Sequence, residues 1–248
     1  MSLKIKTIMF ELAVNFPIHN EEKSIIGVLN EWIIELDKLK IDYCLVISED
    51  GSNDKTKSIL SEFILNNKKR VIDNMAEEKR GYTGATISGI KIADAKYILC
   101  VDSDGQCDPS DFIKFWNKRF EISDSVMMGN RKNRKDSNLR LLCSKFFGIF
   151  HYLMFPNKIK DPSCPYVLFE KKLIEKIDVY LYYVEEAFWW LFVAACIKKK
   201  IKIYQTDVNH RERFYGVTQV YKLHKFPIIF IKNCLGLLKL RLASQKIK

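Results

Sequence analysis

Two aspartates one residue apart, Asp102 and Asp104 in VDSDGQCDP (101–109), close the apolar run YILCV and precede Gly105 and Gln106. In extended backbone, residues i and i+2 point the same way, so both carboxylates face one spot and a cation there would offset their repulsion. Hard divalent ions such as Mg²⁺ take one or two carboxylates from protein and complete their shell with phosphate oxygens and water. A metal held in this way would bridge a diphosphate and stabilise the charge that develops as it leaves. A solvated, capping turn is the plainer account of such a triplet. Its position at the end of an apolar strand favours the chemical one.

The elements that must position this pair alternate along the first half of the chain. FELAVNFP (10–17), YCLVIS (43–48), KRVIDN (69–74), YILCV (97–101) and SVMMGN (125–130) have strand composition. Between them, Ile25, Leu29, Trp32, Leu36 and Leu39 repeat at helical spacing in a helix expected to open behind Asn20 with Glu21 and Glu22. SNDKTKSILSEFILNN, RGYTGATISGIKIAD and PSDFIKFWNKRFE supply three further helices. This order predicts an α/β fold with a mostly parallel sheet flanked by helices, whose ligands lie beyond the carboxyl ends of the strands. FPIHNEE, SEDGSND and DSDGQ would then line one crevice with the character of a nucleotide and metal site.

At 248 residues with 48% hydrophobic and 29% charged residues, the chain has the composition of a globular protein, not a disordered one. The net charge of +11 calls for an anionic partner. Seven cysteines without a CxxC pair read as reduced, mostly buried small hydrophobes. The N-terminus shows no signal peptide, and AFWWLFVAACI (187–197) is too short to cross a bilayer.

The motifs FPIHNEE, EDGSND, GYTGATISGIKIA, VDSDGQCDP, GNRKNRKDSNLR, DPSCPYVLF and HRERFYGVTQ run in order across about residues 8 to 220. Together they resemble family 2 glycosyltransferases of the GT-A fold, in the branch of dolichol-phosphate mannose synthase and bacterial polyprenyl-phosphate glycosyltransferases. The resemblance implies that Pro17, Asn20 and Glu22 belong to the loop around nucleobase and ribose, with Asp50 at the base. It implies that Asp102, Asp104 and Gln106 hold Mg²⁺ or Mn²⁺ and the diphosphate. Arg131 and Arg140 would grip an acceptor phosphate, and Arg213 and Thr218 would lie near the donor diphosphate. Glu49 stands where the family usually has an aspartate, and Pro165 where a glycine is common.

Other features have plainer readings. His19 suits packing or stacking, and His210 and Arg211 suit cover for a sheet edge; RKNRK could be a solvated face, but it adjoins a strand end in the expected crevice. Glu185 and Glu186 match the place of a catalytic base, which a hydroxyl acceptor needs and a phosphate acceptor does not. Capping of the following helix would also explain them. Leu142, Cys143, Phe146, Phe147, Phe150, Leu153 and Met154 keep helical spacing, and Lys225, Lys232, Lys239 and Lys246 recur every seven residues in the apolar C-terminal segment. Both helices suit an anionic membrane surface, although packing against the catalytic domain would also explain the second.

The reading is therefore a catalytic domain over 1–216 and a basic membrane-surface helix and tail over 217–248. It predicts an inverting, metal-dependent glycosyltransferase, peripheral (monotopic) on the cytoplasmic membrane face. The donor would be a UDP- or GDP-sugar and the acceptor a polyprenyl phosphate, with Asp104, Arg131, Arg213 and Glu186 as the catalytic set. The alternatives are transfer to a saccharide hydroxyl with Glu185 or Glu186 as base, a membrane-bound pseudoenzyme, and a basic nucleic-acid- or membrane-binding module. Nucleic acid is disfavoured because no recognisable motif accompanies the charge.

Overall fold

The computed structural model describes residues 10–132, 134, 138–184, 187–215 and 226–243. β1 (Phe10–Ile18) is central, paired in parallel with β2 (Tyr43–Glu49) on one side and β4 (Ala95–Cys100) on the other. A strand covered on both faces needs a nearly unbroken apolar run. Residues 12–18 supply one, interrupted by Asn15, whose amide donates to the Thr86 carbonyl and accepts from Ser48. β3 (Val71–Asp73) extends the parallel arrangement at the β2 edge.

Beyond β4 the sheet changes direction. β6 (Val167–Glu170) runs antiparallel to both β4 and β5 (Ser125–Lys132), and β7 (Lys202–Asn209) pairs in parallel with β5, giving the order β3-β2-β1-β4-β6-β5-β7. The mostly parallel α/β sheet is the one expected. β6 and β7 lie outside the strands that the apolar pattern picks out, because β6 is four residues long and β7 has only one buried residue.

α1 (Ile25–Lys38), α2 (Thr56–Asn66) and α3 (Gly81–Ile92) connect the parallel strands. The buried side of α1 is centred on Trp32, whose ring contacts Phe16, Phe112 and Tyr166 at centroid distances of 6.1, 6.2 and 5.8 Å. Two helix expectations need correction. The chain turns at Asn20 (φ +56°) and α1 begins only at Ile25, so Glu21 and Glu22 lie in the preceding turn and not in the helix. The expected helix over 109–121 breaks into a 3-10 turn (Pro109–Asp111), the short α4 (Phe112–Trp116) and a second 3-10 turn (Arg119–Ile122). Phe112, Phe115 and Trp116 are already buried in that short piece, and Arg119 folds back over the Trp116 ring at 4.1 Å.

α5 (Asn138–Met154), α6 (Phe188–Lys198) and α7 (Phe226–Leu242) form a separate helical layer. Phe230 of α7 meets Phe147 of α5 edge-on at 5.7 Å, and Lys198 of α6 donates to the Ala243 carbonyl at 2.8 Å. Gly236 lets α7 approach the segment that precedes α6, since a Cβ there would fall 2.3 Å from Val184 Cγ1. α5 nevertheless leaves Leu142, Phe146, Ile149, Tyr152 and Leu153 exposed, and α7 leaves Ile228, Ile231, Leu235 and Leu242 exposed. Among the described residues no helix is long and apolar enough to cross a membrane.

Candidate active site

The loops after β1, β2 and β4 meet at the carboxyl ends of their strands around a cleft of about 490 Å³. Pro17, Asp50, Asp102, Asp104, Gln106, Arg131 and Arg213 all line it. Asn20 and Glu22 do not, because their side chains bind the second loop: Asn20 Oδ1 accepts from the Asn53 N–H and Glu22 Oε2 from the Lys55 N–H, each at 3.0 Å. Glu21 turns into the cleft in their place.

One end of the cleft is built from the β1 and β2 loops and the start of α3. The Arg80 N–H donates to Asp50 Oδ1, while the Arg80 guanidinium donates to the Glu49 and Asn74 carbonyls and to Ser88 Oγ. Asp50 is thereby fixed from its backbone surroundings; burial raises its pKa, with the Arg80 N–H opposing. Lys79 Nζ lies 3.0 Å from His19 Nε2, and His19 Nδ1 lies 3.0 Å from the Asp50 carbonyl. An ammonium can only donate, so Nε2 accepts and Nδ1–H donates to the carbonyl. Glu49, despite its longer arm, is fully buried and accepts from the Gly51 and Ser52 N–H groups, so it shapes the loop and does not reach the cleft.

The acidic pair occupies the middle. Asp102 Oδ1 lies 2.8 Å from Tyr82 Oη, while Asp104 accepts from the Gln106 N–H at 3.0 Å through Oδ1 and from Arg213 Nη2 at 2.9 Å through Oδ2. Gly105, between Asp104 and Gln106, has φ +81°, and a Cβ there would fall 2.8 Å from the Phe214 ring, so this turn requires glycine. The Gln106 side chain is directed to the Arg211 carbonyl at 3.4 Å. Glu21 accepts from Ser24 Oγ at 2.6 Å and lies 3.7 Å from Arg213. Burial pushes its pKa up to about 7, against the Ser24 bond and Arg213, with Asp104 and Asp102 adding to the rise.

Among the described residues no group of three or more His, Cys, Asp or Glu side chains could enclose a metal. Two carboxylates beside an open cleft, already holding a guanidinium, instead fit a Mg²⁺ or Mn²⁺ whose remaining ligands come from a diphosphate and water.

At the far end, Arg131 is fastened by two parallel bonds to Asp161, Nε to Oδ2 at 2.7 Å and Nη2 to Oδ1 at 2.9 Å, and by Ser163 Oγ at 2.6 Å. Burial would raise the Asp161 pKa, but Arg131 outweighs it and holds the carboxyl below its ordinary value. Pro165 lines the cleft beside it. The backbone of Arg140 lies in α5; its side chain, and all of Glu185, Glu186 and Thr218, lie outside the described residues. Sequence reasoning passed over Glu21, Tyr82 and Lys79 as site residues and gave His210 only a covering role, yet all four line the cleft.

The model of glycosyl transferase family 2 matches residues 14–178. A dolichyl-phosphate beta-glucosyltransferase of Dictyostelium discoideum is 28% identical over 220 residues, covering 81% of this chain and 66% of its own length. An undecaprenyl-phosphate 4-deoxy-4-formamido-L-arabinose transferase of Proteus mirabilis is 25% identical over 235 residues, covering 94% of this chain and 70% of its own. The chain thus spans about two thirds of the length of these relatives. Among solved structures, mannosyl-3-phosphoglycerate synthase from Rubrobacter xylanophilus superposes with TM-score 0.66 at 11% identity, over 96% of this chain and 79% of that one. Glucosyl-3-phosphoglycerate synthase from Mycobacterium tuberculosis, in complex with Mn²⁺, uridine diphosphate and phosphoglyceric acid, superposes with TM-score 0.66 at 13% identity, over 96% and 80%. These likenesses identify the fold as GT-A-like.

Proposed function

Because this chain belongs to glycosyl transferase family 2, we propose that it moves a sugar, with inversion, from a nucleotide-diphosphate sugar to a polyprenyl phosphate at the cytoplasmic face of a membrane. The observation that carries the reading is one cleft holding Asp50 and Lys79 at one end, Asp102, Asp104 and Arg213 in the middle, and Arg131 at the other. The order matches base, diphosphate and acceptor. The names of the two relatives, both transferases acting on polyprenyl phosphates, support the acceptor class.

In this reading Asp50 and the His19–Lys79 pair receive the nucleoside. Asp102 and Asp104 would hold Mg²⁺ or Mn²⁺, which would supply positive charge against the diphosphate. Arg213 moves from Asp104 onto the leaving diphosphate, and guanidinium forks suit phosphate oxygens. Arg131, kept in place by Asp161, and Arg140 aim the acceptor phosphate. An acceptor oxygen, already ionised, forms the new bond to the anomeric carbon as the bond from that carbon to the donor's β-phosphate oxygen breaks. The nucleoside diphosphate leaves with the electron pair, so no general base is needed.

Residues 217–248, as a membrane-surface segment including α7, would act together with α5. The exposed Phe146, Ile149 and Leu153 of α5 and Ile228, Ile231 and Leu235 of α7 support this, as do the exposed Lys145, Lys232 and Lys239.

The test is turnover by the full chain in mixed micelles of undecaprenyl phosphate with Mn²⁺, with UDP-sugars and GDP-sugars in separate reactions. Nucleoside diphosphate and glycosyl lipid should form in equal amounts, and Asp104→Ala should abolish both. Transfer to saccharide hydroxyls without lipid product would overturn the acceptor assignment.

A further inference from the structure

Trp189, buried in α6, donates its indole N–H to Tyr82 Oη at 2.8 Å, and Tyr82 Oη lies 2.8 Å from Asp102 Oδ1. An indole N–H has no acceptor capacity, and a phenol has one proton to give. The Tyr82 oxygen therefore accepts from Trp189 and its proton points to Asp102. The bonds have one direction, Trp189 to Tyr82 to Asp102, and the last of them is a short bond to a charged acceptor.

The geometry fixes Tyr82 from both sides. It sits in the first turn of α3, two residues after Arg80, whose backbone and guanidinium tie that turn to Asp50, Glu49, Asn74 and Ser88. Trp189 in turn is wedged against Phe188 and Phe192 at ring distances of 4.8 and 5.5 Å. Asp102 itself lies past the end of β4, so its carboxylate is placed by side-chain contacts such as the one to Tyr82. A carboxylate that must meet a cation at a set angle needs its rotation stopped, and such supporting hydrogen bonds tune metal sites as strongly as many ligands do.

We propose that Tyr82 and Trp189 are positioning residues that orient the Asp102 carboxylate toward the donor's cation and diphosphate, a role that rests on the reading of the acidic pair given above. It adds the helical layer to the site, since Trp189 belongs to α6, which carries the Lys198 bond to the end of α7.

The experiment uses the full chain and two probes. Mn²⁺ affinity is measured by electron paramagnetic resonance with UDP or GDP in separate arms. The Trp189 indole N–H resonance, assigned by its loss in Trp189→Phe, is followed during addition of Mg²⁺ and the same nucleotides. Tyr82→Phe should weaken Mn²⁺ binding roughly 10-fold, in the range for lost supporting bonds, with the acceptor KM unchanged. Trp189→Phe should weaken it less, and should add nothing in the Tyr82→Phe background. The indole resonance should move on Mg²⁺ addition in the wild type and stay still in Tyr82→Phe. Wild-type Mn²⁺ affinity in folded Tyr82→Phe, or additive effects of the two substitutions, would overturn the proposal. Should Tyr82→Phe not fold, Trp189→Phe decides alone, and unchanged Mn²⁺ affinity there overturns it. Unchanged affinity in Asp102→Ala would instead remove the reading of the acidic pair on which the proposal stands.

Discussion

Arg213 Nη2 stands 2.9 Å from Asp104 Oδ2, so the corner assigned to a divalent cation already holds a positive group of the protein's own. Burial lowers the Arg213 pKa, but Asp104 more than compensates, so the guanidinium stays charged. Two cations cannot share one carboxylate oxygen without strong repulsion. In the proposed reaction a metal taking Asp104 Oδ2 would displace Arg213, and the donor diphosphate would be the anion that receives it.

The first prediction follows from that competition. Arg213→Ala should bind Mn²⁺ a few-fold more tightly than the wild type when no nucleotide is present, because the competing charge is gone. With donor and acceptor present, it should lose about 10²-fold in kcat, the order found when one group stabilising developing charge is removed. Calorimetric Mn²⁺ titration and steady-state turnover of the same preparation check the two signs. A parallel fall in both would mean that Arg213 supports the fold and does not compete for the site.

Glu21 gives a pH prediction. Its pKa is about 7 in the folded chain and about 4.5 when unfolded. The folded state therefore binds more protons between these values, and stability contributed by this group declines as pH rises from 4.5 to 7. Glu21→Gln lacks the titration. The difference in unfolding free energy, variant minus wild type, should rise through that window by about 1–3 kcal/mol and level off above it. Denaturant melts at pH 5, 6, 7 and 8 would show the change; a flat difference would place Glu21 in wetter surroundings.

The parts of this arrangement differ in how readily the sequence shows them. β1, β2 and β4 are covered on both faces, so apolar runs reveal them, and the acidic pair is recognisable because it ends one of those runs. Glu21 is hidden by a single backbone angle: the positive φ at Asn20 rotates the loop so that Glu21 faces the cleft while Asn20 and Glu22 face the second loop. Arg131 is visible as a basic residue, but its carboxylate partner is 30 residues away. Trp189 reads as one more aromatic in an apolar helix, since the target of its N–H is set by tertiary packing alone. Local pattern thus displays burial and strand ends, and it is silent on which distant side chains meet.

Arg131 and Asp161 are each only 7% exposed at their side chains, so the pair is both structural and poised at the cleft wall. Removing either charge outright would leave the other buried and alone, at a cost of about 3–5 kcal/mol. Arg131→Lys keeps the charge but cannot form two parallel bonds. This variant should raise the KM for the lipid phosphate about 10-fold and leave the nucleotide Kd within about twofold, as expected for a positioning group on the acceptor side alone. Equal losses for donor and acceptor, measured by product formation and nucleotide titration, would refute that division.

The exposed stripes of α5 and α7 separate docking from folding. Phe146 is 61% exposed and Ile231 57% exposed, and neither fills the core. Replacing both by glutamate should therefore change unfolding free energy by no more than about 0.5 kcal/mol per site. On a bilayer the same changes remove apolar insertion and add charge repelled by anionic lipid, where each basic residue contributes about 1 kcal/mol of attraction. Flotation with vesicles of phosphatidylglycerol and phosphatidylethanolamine should show the wild type bound at low salt and partly released at high salt. The double variant should remain unbound at both. Turnover of a water-soluble, short-chain polyprenyl phosphate should be unaffected by the two substitutions, because the cleft is untouched, while turnover of vesicle-embedded acceptor falls with binding. Retained flotation by the double variant would show that Phe146 and Ile231 do not carry the docking.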